Sequence, residues 1–70
     1  MRLSTRNQLQ GTITEIDIGA VMAIVKIRLE GGDQIVTSSV TKDAALELGL
    51  KAGLPATVFI KSTDVTIGVE

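Results

Sequence analysis

The residue pattern of this chain is that of a small antiparallel β-barrel of five strands, all-β apart from one short helix. Three observations carry that expectation. Apolar and polar residues alternate over several runs of strand length. Glycines, singly or in pairs, punctuate those runs. Only one run, Lys42 to Leu48, has a helix start signal before it and a stop signal after it.

The first strand is expected over Leu9 to Ile18, where Leu9, Gly11 and Ile13 alternate with Gln10, Thr12 and Thr14. Gly19-Ala20 breaks it, and a glycine there can take a positive φ. The second strand is expected over Val21 to Glu30, with Val21, Ala23, Val25, Ile27 and Leu29 on one face. The opposite face begins apolar (Met22, Ile24) and ends charged (Lys26, Arg28, Glu30), so one end of the strand should be covered on both sides. Gly31-Gly32-Asp33 reads as a turn. Gln34 to Val40 is the third strand, apolar at Ile35, Val36 and Val40 and hydroxylated at Thr37, Ser38 and Ser39.

Thr41 then caps the helix. Its hydroxyl can accept from a backbone N–H of the first turn, where Asp43 also suits the helix dipole. Gly49 ends the helix in a left-handed conformation, with Leu50 making the apolar contact that follows. Lys51 to Pro55 is a loop. Ala56 to Ser62 is the fourth strand, with Val58 and Ile60 on the face opposite Phe59, and Val65 to Val69 is a short fifth. Five strands with a helix between the third and fourth is the element order of the OB-type barrel, and closure protects the strand edges. An SH3-like barrel, the alternative, has no helix in that place.

Seventy residues make a single domain, 1–70. A chain of this length buries only about 60% of its unfolded surface, and such domains usually need a staple. There is no Cys for a disulfide, which also fits a reducing compartment. With no His either, no metal ligated directly by side chains is expected. Hydrophobic residues make up 44% of the chain, with Phe59 its only aromatic. That is more aliphatic surface than so small an interior hides, and exposed apolar patches mark interfaces. Assembly as an oligomer is therefore expected. The net charge of −1 gives no overall pull toward nucleic acid or an anionic membrane. No apolar run approaches the ~20 residues of a membrane span, and the N-terminus has no signal-peptide core. A soluble cytoplasmic protein is the expectation.

Catalysis is disfavoured first. Without His or Cys, the common general base near neutral pH and the strongest nucleophile are both missing. Glu15 with Asp17 and Asp43 with Glu47 read as solvated surface carboxylates, and Gly31-Gly32 has no phosphate-loop spacing. Nucleic-acid binding by an OB fold uses aromatic side chains within a basic groove, and this chain supplies one aromatic and no basic excess.

Donors to an anion are better represented. Ser4, Arg6 and Asn7 place a hydroxyl, a guanidinium and an amide within four residues, and in an extended segment Ser4 and Arg6 point the same way. Lys61 and Ser62 end the fourth strand, with Thr63 next. Thr41 opens a helix whose first N–H groups are further donors. Taken singly, these could be a frayed terminus, a surface charge and a helix cap; together they suit a small, doubly charged, oxygen-rich anion.

Five segments in order carry a resemblance: Leu3-Ser4-Thr5-Arg6-Asn7-Gln8-Leu9 with Gly11; Ile18 to Ala23; Ile35 to Thr41; Leu46 to Gly53; and Phe59 to Val65. Together they span nearly the whole chain, and the chain resembles the Mop domains, or molbindins. The resemblance implies an OB-type barrel assembled as a homohexamer, a trimer of dimers, that binds molybdate or tungstate between subunits for storage and homeostasis. It places Ser4, Arg6, Thr41, Ala44, Lys61 and Ser62 on oxyanion-contacting positions. Ser4 and Arg6 read as one half of a site, and Lys61-Ser62 with Thr41 as the other half, from a neighbouring subunit. Relatives often carry Ser where this chain has Ala44; its backbone N–H is the donor expected to remain. Asn7, Gly19, Ala20 and Val21 match a possible second site. A donor-only site suits molybdate, which has no proton to give at neutral pH, whereas a carboxylate acceptor would favour protonated phosphate. The competing readings are an OB interaction module for a protein or nucleic-acid partner without oxyanion, and a purely structural oligomer.

Overall fold

The structure, a computed structural model, describes residues 1–70. In chain order it contains β1 (Asn7–Ile18), β2 (Met22–Leu29), β3 (Ile35–Thr41), α1 (Lys42–Leu48), β4 (Pro55–Ile60) and a 3-10 turn over Ser62–Asp64. The strands form one antiparallel sheet in the order β3-β2-β1-β4. The sheet curls, because the edge strands β3 and β4 both line the same concave cavity of about 280 Å³, through Ser38, Val40, Ala56 and Val58. The mostly-β character with one helix is as expected. The element bounds agree with the expected ones to within two residues, apart from the fifth strand.

That strand is corrected. Val65–Val69 is an unpaired extension, and the single chain is a four-stranded open sheet rather than a closed five-stranded barrel. The 3-10 turn ends β4 at Ile60 and directs the chain away. Val65, Ile67 and Val69 are then 50%, 89% and 90% exposed. Alternation confers strand propensity but supplies no partner.

β1 is the shared spine, paired with β2 on one side and β4 on the other. It carries a bulge between Ile13 and Glu15, which leaves Thr14 as the extra residue. Thr14 Oγ1 donates to the carbonyl of Lys26 at 3.3 Å, anchoring the bulge. A bulge bends its strand and reverses the side-chain alternation beyond it. Gly11 and Ile13 face the concave side before the bulge, and Ile16, opposite Val25, faces it afterwards. Gly11 is dictated by crowding: a Cβ there would lie 2.6 Å from the Arg28 carbonyl oxygen and 2.7 Å from Ile27 Cγ2.

The expected apolar face of β2 is the one that is buried. Ala23, Val25 and Ile27 are buried, and Val25 and Ile27 form the core with Ile13. The opposite face is not covered at its apolar end, since Met22 and Ile24 remain exposed in the single chain. The helix follows its signals. Thr41 is extended and accepts from Ala44 N–H at 3.1 Å, and Gly49 sits at φ 65°, ψ 35°. Leu50 N–H donates to the Ala45 carbonyl, closing the helix end. Gly19 does not take a positive φ; Gly31, Gly49 and Gly53 do. No helix is long and apolar enough to cross a membrane.

Candidate functional site

At the Asn7 end of β1 the chain brings together two segments far apart in sequence. Asn7 pairs with Ile60 in the β1–β4 ladder, and its side-chain Nδ2 donates to the Ile60 carbonyl at 3.0 Å. Gln8 Nε2 reaches back to donate to the Thr5 carbonyl at 2.8 Å, which holds the N-terminal segment beside the strand. On the other segment, Asp64 N–H donates to the Lys61 carbonyl at 2.9 Å and Val65 N–H to the Ser62 carbonyl at 3.3 Å, closing the turn.

Between these segments lies a cavity of about 210 Å³, lined by Ser4, Thr5, Arg6, Lys61, Ser62 and Thr63. That is several times the ~30 Å³ share of one water. Four of its six residues are the expected Ser4, Arg6, Lys61 and Ser62. Thr5 and Thr63 complete it; both stand in the same hydroxyl-rich segments but were not singled out as contacts. The lining is four hydroxyls, a guanidinium and an ammonium, with no carboxylate and no apolar residue. Neither Arg6 nor Lys61 is paired with an acid, the single salt bridge of the chain being Lys26–Glu15 at 3.6 Å. Two uncompensated cations among hydroxyl donors form a pocket that can neutralise a dianion and donate to its oxygens.

Thr41 and Ala44 are not part of this cavity. Thr41 pairs with Met22, and Lys42 N–H donates to the Val21 carbonyl at 2.7 Å, which places the helix start against the β1–β2 turn. Gly19 N–H closes that turn on the Met22 carbonyl at 2.8 Å. So Thr41, Ala44, Gly19, Ala20 and Val21 gather at the Ile18 end of β1. A strand of this length, rising ~3.3 Å per residue, separates them from Asn7 by on the order of 30 Å. The expected grouping of Lys61-Ser62 with Thr41 is thus revised: within one chain, Lys61 and Ser62 stand with Ser4 and Arg6. Asn7 likewise lies away from Gly19–Val21, and its amide is engaged by Ile60. The Ala44 N–H expected to serve as a donor is already taken by Thr41 Oγ1, whose own proton remains available.

A family profile described as the TOBE domain matches residues 3–67. A probable molybdenum-pterin-binding protein of Haemophilus influenzae is 44% identical over 70 residues, covering the whole of both chains. Among solved structures, MopII from Clostridium pasteurianum, in an apo form, superposes with a TM-score of 0.89 at 38% identity, over 97% of this chain and 100% of that one. The cytoplasmic molybdate-binding protein ModG, with molybdate bound, superposes with a TM-score of 0.92 at 50% identity; it covers 100% of this chain, which spans 49% of ModG.

Proposed function

The chain belongs to the TOBE-domain family and, within it, to the small molybdenum-binding Mop group, or molbindins; on that premise we propose that it binds and stores the oxyanions molybdate and/or tungstate. It is a binding protein rather than an enzyme, working in the cytoplasm as ModG is described to do. The observation that carries the reading is the cavity between Ser4–Arg6 and Lys61–Thr63, which offers hydroxyls and two unpaired cations and no carboxylate.

Arg6 and Lys61 neutralise the dianion, because charge-assisted hydrogen bonds are about twice as strong as neutral ones. Ser4, Thr5, Ser62 and Thr63 orient it. Phosphate near neutral pH carries a proton for part of the time and finds no carboxylate here to accept it. Thr41 and Ala44 join the site from a neighbouring copy, since within one chain they stand at the other end of β1. The site is then complete only in the homo-oligomer, the trimer of dimers that the resemblance implies, and ligand binding stabilises assembly by mass action. A second site that uses Asn7 with Gly19, Ala20 and Val21 has the same two-copy requirement.

Calorimetric titration of ligand-free protein with molybdate, tungstate, sulfate and phosphate tests the reading. Saturable heats with molybdate or tungstate and weaker ones with phosphate are expected. No heat with either of the first two anions sinks it, and would favour the OB interaction module instead.

A further inference from the structure

We infer that Gln8 is a positioning residue of the anion site, its side-chain amide holding the Ser4–Arg6 wall in binding geometry while the site is empty; the inference deepens the oxyanion reading above and rests on it. The two walls of the cavity are anchored unequally. Lys61 follows directly on Ile60, which is paired with Asn7 in the β1–β4 ladder and also accepts from Asn7 Nδ2 at 3.0 Å. The turn beyond it is closed by Asp64 N–H on the Lys61 carbonyl and by Val65 N–H on the Ser62 carbonyl. The Lys61–Thr63 wall is thus fixed from both of its ends.

The opposite wall has one anchor. β1 begins at Asn7, and no backbone–backbone hydrogen bond outside the strands and helix involves residues 1–6. The side chains of Ser4 and Arg6 have no hydrogen-bond or salt-bridge partner within the chain. The bond from Gln8 Nε2 to the Thr5 carbonyl, at 2.8 Å, is the single hydrogen bond of the segment. Thr5 stands between Ser4 and Arg6, so holding its carbonyl restrains the backbone from which both side chains project. Gln8 does this from outside the cavity: it lies within β1, opposite Phe59 in register, and is not one of the lining residues. Without the bond, the ligand itself must order the segment, at a cost in conformational entropy. A site that is competent for only a fraction of the time loses apparent affinity by that fraction.

Gln8→Met, which keeps the length of the side chain and removes its donor, tests the inference in the intact protein. Calorimetry with molybdate is expected to show affinity weakened by about 2- to 10-fold, the factor that losing one ordinary hydrogen bond takes from the ordered population. The second readout is the backbone order of Thr5 and Arg6 by NMR relaxation in the ligand-free protein. Their order parameters are expected near the rigid value of about 0.85 in the wild type and below about 0.6 in the variant, and saturating molybdate should restore them in the variant. Order and affinity falling together support the inference. Unchanged affinity overturns it, and so does weakened affinity with Thr5 and Arg6 as rigid as in the wild type; both results leave the oxyanion reading intact. A wild type that binds neither molybdate nor tungstate overturns the two together.

Discussion

At the Asn7 end of β1, segments from opposite ends of the chain are held side by side by a ladder and by two side-chain bonds to backbone, from Asn7 and Gln8. At the Ile18 end the contacts are local: a tight turn, a helix cap, and a helix that starts directly from β3. The first end carries two cations and four hydroxyls. The second carries one capping hydroxyl beside an apolar patch of Val21, Met22 and Ile24. Cations without acidic partners are therefore gathered where long-range pairing assembles them, whereas the local end mixes Lys42 with Asp17 and Asp43 beside open apolar surface. On the proposed function, the two ends are the halves of one site on different copies.

The largest effect is expected at the charged end. Arg6→Ala should weaken molybdate binding by about 10- to 100-fold, the equivalent of losing a charged hydrogen bond worth roughly 1.5–3 kcal/mol. Calorimetry reads the affinity, and thermal melting should show the fold unchanged because Arg6 is exposed. Unaltered affinity would break the assignment of this end. Lys61→Met should cost about tenfold at low salt and less as ionic strength rises, since a single exposed charge is screened. Titrations at two salt concentrations check this.

The local end should respond in both stability and affinity. Thr41→Ala removes a cap worth about 1 kcal/mol, which lowers the melting midpoint by roughly 4–8 °C for a domain of this size. Thr41→Asn should preserve the midpoint. If the two ends form one site, Thr41→Ala also weakens molybdate binding by a few-fold; unchanged affinity with a lowered midpoint would separate them. The smallest effect is expected from Ala44→Ser, which adds a hydroxyl worth about 0.5–1.5 kcal/mol net and should tighten binding by a few-fold without moving the midpoint.

What the sequence disclosed about these regions follows the same division. The Thr41 cap, the bounds of α1 and the left-handed Gly49 were legible because each depends on residues within one helical turn. The buried face of β2 was legible because Ala23, Val25 and Ile27 repeat without interruption. The bulge at Thr14 was not, because it is a property of register with β2 rather than of the local alternation. The cavity was half legible. Its hydroxyls and cations stand out in composition, but which segments meet is decided by the β1–β4 pairing, and that pairing moved Lys61 and Ser62 from the company of Thr41 to that of Ser4 and Arg6. The last strand was misread for a related reason: Val65–Val69 has the pattern of a strand, but nothing in a local pattern says that its own sheet leaves it unpaired.

Thr14 has one more consequence, for how the chain tolerates changes in length. Because β1 keeps one inside–outside parity before the bulge and the opposite parity after it, Thr14 acts as a reading-frame shift written in space. Deleting it would remove only the extra residue: Ile13, Glu15 and Ile16 would then alternate without interruption opposite Ile27, Lys26 and Val25, so Ile16 and Ile18 would stay on the concave side and the bend alone would be lost. A single deletion elsewhere in the upstream half of β1 slides that half against β4 instead, and with it the N-terminal wall of the anion cavity. Two deletions of equal size in one strand thus act differently, the first straightening β1 with its core face kept and the second misaligning the site.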